Sequence, residues 1–231
     1  ARFRDASRVV RGLSAEAETM QAAALLMEWI DRNPVPRLPA GTAPGAGLAA
    51  EARRHLERSL ALWPFQNGIS HAWLGILAAL SGQERQAVDH LDASLDASPE
   101  DPGVRVLVAW YHLLRGEHVL ALNRLRGLGG LAGSGIVYFL RSSAYAGLAE
   151  ALRTSGDEKE AQECVDKAGL QVQRALLHEP NARWAADAYC IYGWYLFECQ
   201  DYDTAKAAFR KALQVRPGHP LATEALRAMG G

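Results

Sequence analysis

Residues 193–220 read "GWYLFECQDYDTAKAAFRKALQVRPGHP". Apolar positions recur every three to four residues, the period of a helix rather than a strand. The pattern breaks at Gln200-Asp201 and stops at Pro217-Gly218. Either side of the break, Gly193, Ala205 and Ala212 stand where larger residues would be expected, with Trp194, Tyr195, Phe197 and Phe209 between them. Two antiparallel helices joined by a tight turn approach closely only where side chains are small. Extra bulk at a packed crossing costs ~1–3 kcal/mol. The stretch therefore reads as a helix-turn-helix hairpin kept thin at its waist, with Gly193 crossing near Ala205.

The layout returns upstream. Laying Gly75 of "HAWLGILAALSGQERQAVDHLDASLDASP" (71–99) on Gly193 puts Ala87 on Ala205, Leu91 on Phe209, Leu95 on Leu213 and Pro99 on Pro217. "VAWYHLLRGEHVLALNRLRGL" fills the same template with Ala109, Gly116 and Ala121, and "YAGLAEALRTSGDEKEAQECV" with Ala149, Gly156 and Ala161. "EARRHLERSLALWP" matches the second half alone, through Ala52, Leu56, Leu60 and Pro64. Leu91, Leu125 and Phe209 are expected to fill the space toward the next hairpin. One hairpin cannot bury enough apolar surface to stand alone, so the hairpins must stack.

This combination of small, aromatic, turn and proline positions resembles the tetratricopeptide repeat (TPR) family, over roughly residues 47–219 and most closely over 186–219. The resemblance implies an all-α fold, a right-handed superhelical solenoid of antiparallel helix hairpins. Departures from the template refine it. The alanines after each turn fall 34 residues apart from Ala87 to Ala121, then 40 to Ala161 and 44 to Ala205. The excess surrounds one hairpin, which predicts an overlong pair over residues ~135–179. "PLATEALRAMGG" predicts a capping helix over 220–229 with Leu221, Ala225, Leu226 and Met229 on its inner face.

Ahead of the solenoid (48–231), residues 1–32 read as a basic arm followed by a helix from Ser14 to Asp31, with Ser14 as N-cap. Residues 33–47, "NPVPRLPAGTAPGAG", read as an extended linker, because proline fixes φ and removes a donor. The chain starts at Ala1 rather than Met, which reads as a processed or trimmed form and leaves room for a signal peptide or membrane anchor upstream. Arg2, Arg4, Arg8 and Arg11 would suit the cytoplasmic side of such an anchor, or a partner's surface, or simply a solvated helix start.

The formal net charge of −1 supplies no global field for nucleic acid, and none is expected as a partner. Cys164, Cys190 and Cys199 offer neither metal spacing nor an even disulfide count, which tilts the compartment toward the reducing cytoplasm over the periplasm. The Gly-rich stretch 127–135 follows a helix rather than a strand, so it reads as a turn and not a phosphate cradle. The seven histidines show no ligand spacing, and Glu150, Glu158 and Glu160 read as solvated charges. The sequence shows no catalytic constellation and implies no cofactor or metal.

What remains is a surface. In the TPR family, first helices of successive hairpins line a concave groove for peptides or partner helices. Carried over by position, that groove would present Ile69, Ile76, Val106, Trp110, Leu113, Glu150, Arg153, Cys190, Trp194 and Phe197. The residues that clamp a terminal carboxylate in chaperone-binding members are replaced here by apolar ones. The expectation is a scaffold or assembly factor, bacterial in type, that takes a protein or peptide partner on apolar anchors. The alternative is a self-associating module, its groove filled by another copy or by its own N-terminal helix through Met20, Leu25, Leu26 and Trp29.

Overall fold

The computed structural model describes residues 2–32, 46–65, 67–128, 135–182 and 184–230, and of residues 2–10, 29–32 and 46 the backbone alone. The linker residues 33–45, the centre of the Gly-rich stretch and the Trp29 side chain lie outside this set. The described secondary structure is helical, and the chain divides into two compact units, residues 1–115 and 116–231.

The first unit holds α1 (Arg2–Arg32), α2 (Ala46–Leu62), α3 (Gly68–Leu80), α4 (Glu84–Ala97) and α5 (Pro102–Leu114). Helix α1 starts well before Ser14, which lies inside it rather than capping it. Gly12 is the one poor helix former nearby, and an interior glycine costs only ~1 kcal/mol. Nor is α1 a separate arm. Its Ala22 and Leu26 enter the core with Ala52 and Leu56 of α2 and Ile76 and Leu77 of α3. A buried hydroxyl cluster ties the three helices together: Thr19 Oγ1 lies 2.8 Å from Ser59 Oγ and 2.7 Å from Ser70 Oγ. Ser59 donates to the Ala15 carbonyl at 2.7 Å. Thus α1 supplies the first half that the template lacked at "EARRHLERSLALWP". The intervening residues 33–45 throw it out of register. Leu25 packs on this core, while Met20 faces solvent.

The second unit holds α6 (His118–Leu125), α7 (Gly135–Ser155), α8 (Glu158–His178), α9 (Ala185–Glu198), α10 (Tyr202–Val215) and α11 (Pro220–Ala228). The overlong hairpin is α7–α8, at 21 residues each. Its extra turns pack on each other and on the chain beyond. Tyr138 stacks on His178, Phe139 stacks on Trp184, and Glu179 Oε1 accepts from the Gly135 N–H at 2.8 Å. Helix α11 is the cap, with Ala222 and Ala225 buried and Leu226 and Met229 packed alongside. Leu221 turns outward instead of joining them.

The hairpin waists are built slightly differently from the sequence expectation. A Cβ on Gly75 would meet Leu91 at 2.8 Å and the Ala87 carbonyl at 3.1 Å; one on Gly193 would meet the Phe209 ring at 2.8 Å. The large residue of the second helix therefore lies on the glycine itself, rather than reaching only toward the next hairpin. Three hairpin turns place Gly82, Gly116 and Gly156 in the left-handed region; at the α9–α10 turn the same position is Gln200, φ 64°. A side chain there costs ~1–2 kcal/mol that glycine avoids.

Candidate functional site

The shift that carries Gly75 onto Gly193 also carries the face of α3 onto the face of α9: Ile69, Ala72, Ile76 and Ala79 correspond to Asp187, Cys190, Trp194 and Phe197. On α3 this stripe is closed. Ile76 is 0% exposed and Ala79 5%, while Ile69 lies against the first turn of α5 at Gly103. On α9 the lower half is closed and the upper half is open, with Trp194 44% exposed and Phe197 36%.

The lower half is sealed by the start of α11. His219 caps that helix, its Nδ1 accepting from the Ala222 N–H at 3.4 Å. With Nδ1 accepting, Nε2 carries the proton and donates to Asp187 Oδ1 at 2.9 Å. Arg216 donates to the other Asp187 oxygen at 3.0 Å, and Cys190 Sγ lies 3.6 Å from His219 Nδ1. Cys, His and Asp side by side have the outline of a nucleophilic triad, but the chemistry is absent. Cys190 and His219 are fully enclosed, and burial, with the Asp187 charge, pushes the thiol up to about 12. A nucleophilic cysteine needs a lowered pKa and access; this cluster is a clasp between α9, the α10 end and α11.

Above the clasp the two helices leave an open cleft of about 210 Å³, lined by Trp194 and Phe197 of α9, Tyr202 and Lys206 of α10, and Ala225, Ala228 and Met229 of α11. The aromatic walls brace one another: Trp194 meets Phe197 and Phe209 edge to face, and Phe197 meets Tyr202 likewise. Just beyond Phe197, Glu198 accepts a two-pronged pair from Arg153 at 2.8 and 2.9 Å, which fixes the end of α7 to the end of α9.

The cause of the opening is legible in α5. The same shift sets α11 on α5, N-cap on N-cap (Asp101 with His219) and proline on proline (Pro102 with Pro220). Leu107 and Trp110 of α5 both pack against the core of their unit, with Trp110 edge-on to Trp73. Their counterparts in α11 are Ala225 and Ala228. Helix α11 is also shorter, 9 residues against 13. Small residues and a missing turn leave the space.

The sequence-predicted site residues differ in exposure within each unit. Ile76, Leu113 and Cys190 are buried and cannot reach a partner while the helices hold. Ile69, Val106 and Trp110 are half-buried in the first unit. In the second, Glu150 is exposed and Arg153 is engaged by Glu198. Trp194 and Phe197 are brought together. Tyr202, Lys206, Ala225, Ala228 and Met229 were missed; the signal for them was the alanine at 228 where the earlier helix has tryptophan.

Elsewhere, His71 and His90 face each other with Nδ1 atoms 3.2 Å apart. Their ring centroids lie 5.5 Å apart, about two ring radii beyond the nitrogens, so the rings meet end to end and share a hydrogen bond. With one Nδ1–H donating to the other Nδ1, the two nitrogens are spent on each other rather than directed at a common metal. Among the described residues, no three His, Cys, Asp or Glu side chains gather as a metal site. No described helix is long and apolar enough to cross a membrane.

Residues 186–219, from α9 through α10, match the tetratricopeptide repeat family model. Several solved structures share the fold. YrrB, described as a TPR protein with an unusual peptide-binding site, has a TM-score of 0.52 at 18% identity, over 78% of this chain and 84% of its own. MamA from Desulfovibrio magneticus RS-1, residues 41 to the end, gives 0.54 at 18%, over 90% and 97%. A human IFIT1 dimer with m7Gppp-AAAA gives 0.63 at 16%, over 93% of this chain but 53% of IFIT1. No curated protein matches the sequence. At these identities the likeness is one of fold: an all-α, TPR-like protein, with residues 186–219 matching the tetratricopeptide repeat.

Proposed function

We propose that the protein is a non-catalytic interaction scaffold that docks a partner peptide or helix at the cleft between α9 and α11. One observation carries this reading: three aromatic residues, Trp194, Phe197 and Tyr202, stand open to solvent in one contiguous patch on a braced helical frame. Exposed aromatic clusters of this kind mark binding surfaces, and tryptophan and tyrosine dominate interface energetics. Among the described residues the cleft lining is mostly apolar and aromatic, which supports binding of an apolar group. The frame is stiff where the partner would press. The His219 clasp holds α11, the Arg153–Glu198 pair holds the end of α9, and Phe209 supports Trp194 from below.

The test uses a variant suggested by the first unit. Ala228→Trp should close the cleft as Trp110 closes the corresponding place, without touching the buried residues. A partner recovered with the wild-type chain should be lost with Ala228→Trp and with Trp194→Ala, and kept with Trp110→Ala. Equal recovery with all of these would remove the cleft from the function.

A further inference from the structure

The chemistry of the cleft narrows the kind of partner, on the reading that the cleft is the docking site. Its lining is apolar or aromatic except for Lys206, which comes from the second turn of α10. That side chain is half-buried, and no carboxylate, hydroxyl or ring among the described residues engages it. Neighbouring cations are differently placed: Arg153 is held by Glu198 and Arg216 by Asp187. An ammonium in an apolar wall, partly shielded from water, interacts more strongly with an incoming anion than one on an open surface. The net charge of −1 provides no long-range attraction for anions, so any preference for them arises locally at this wall. The open volume, about 210 Å³, has room for one large side chain rather than for a helix backbone.

We infer that the cleft takes a segment of a partner protein presenting one bulky apolar side chain with an aspartate or glutamate beside it. The apolar group fills the space between Trp194, Phe197, Ala225, Ala228 and Met229. The carboxylate meets the Lys206 ammonium at the wall in a charge-assisted hydrogen bond. A basic residue at the same place would bring two cations together and be rejected, so Lys206 acts as a filter as well as an anchor.

The experiment is to pan a random peptide-display library on the full chain, on Lys206→Glu and on Ala228→Trp, and to measure the enriched peptides by the change in tryptophan fluorescence. Wild type should enrich a bulky apolar residue within four positions of Asp or Glu. Exchanging that acid for Lys should weaken binding about tenfold or more, and Lys206→Glu should reverse the preference. Enrichment that needs the cleft but shows no acidic preference, or a basic one, overturns the partner chemistry while leaving the cleft as the docking site. Enrichment that survives Ala228→Trp unchanged, or no enrichment at all, overturns both. Circular dichroism of each variant separates these outcomes from misfolding, and Lys206→Arg should retain the acidic preference.

Discussion

Helices α3 and α9 carry the same spacing of residues on corresponding faces, and the two faces have opposite fates. On α3, Ile76 is shut into a core fed by α1, α2 and α5. On α9, the corresponding Trp194 lies open beside a short helix with alanines at 225 and 228. A face is therefore made a site by what fails to cover it, and not by its own pattern. An apolar stripe read along one helix predicts that something will pack there; it does not say whether the neighbour belongs to the same chain.

That comparison can be broken first at the waists, where the two hairpins should behave alike. Phe209 and Leu91 each lie on a glycine of the partner helix. Phe209→Ala should cost ~3–5 kcal/mol and Leu91→Ala ~2–5 kcal/mol in denaturant unfolding. A negligible loss at either would mean that hairpin is not closed as described. Gly193→Ala should cost ~1–3 kcal/mol, because its Cβ would stand 2.8 Å from the Phe209 ring.

The turns sharpen the comparison in the opposite direction. Gln200 occupies a left-handed position that Gly82 holds in the first unit. Gln200→Gly should stabilise the α9–α10 hairpin by about 1 kcal/mol, whereas Gly82→Gln should destabilise α3–α4 by a similar amount. Thermal melts of the two variants should move in opposite directions; movement in the same direction contradicts the equivalence.

The smallest expected effect separates the units by pH. Burial, and then His90 at His71 and Arg53 at His90, lower the affinity of the two rings for protons, with Asp89 and Glu57 partly opposing the shift at His90. The unfolded chain binds protons there more readily, so this contribution is intact above the ordinary histidine value of about 6.5 and is lost as pH falls below it. His71→Gln/His90→Gln should flatten the acid-side fall in stability of the first unit. An unchanged slope would show that the pair does not sense protons.

Much of the architecture was legible because close helix contact demands small residues at fixed positions, and Gly75, Gly193, Ala87 and Ala205 supply them. The extra turns of α7–α8 showed as excess spacing between alanines. The pairing of α1 with α2 was not legible, because residues 33–45 break the register and the hydroxyl cluster of Thr19, Ser59 and Ser70 has no periodic signature. The candidate site was half legible. Trp194 and Phe197 follow from repeat position, but Tyr202 and Lys206 come from the second helix, and the opening itself depends on residues being small in α11. Cys190 was placed on the open surface by repeat position, one turn from Asp187. The structure turns them into the clasp, since His219 reaches back to both from the cap of the next helix.

Hydroxyl-radical footprinting of the wild-type chain, read residue by residue by mass spectrometry, tests the open cleft most directly. Trp194 and Tyr202, at 44% and 49% exposure, should be modified several times faster than Trp73, at 6%. Ala228→Trp should slow Trp194 toward the Trp73 rate. Protection of Trp194 in the wild type to the level of Trp73 would mean that α9 is covered just as α3 is, and the account of the site would fail.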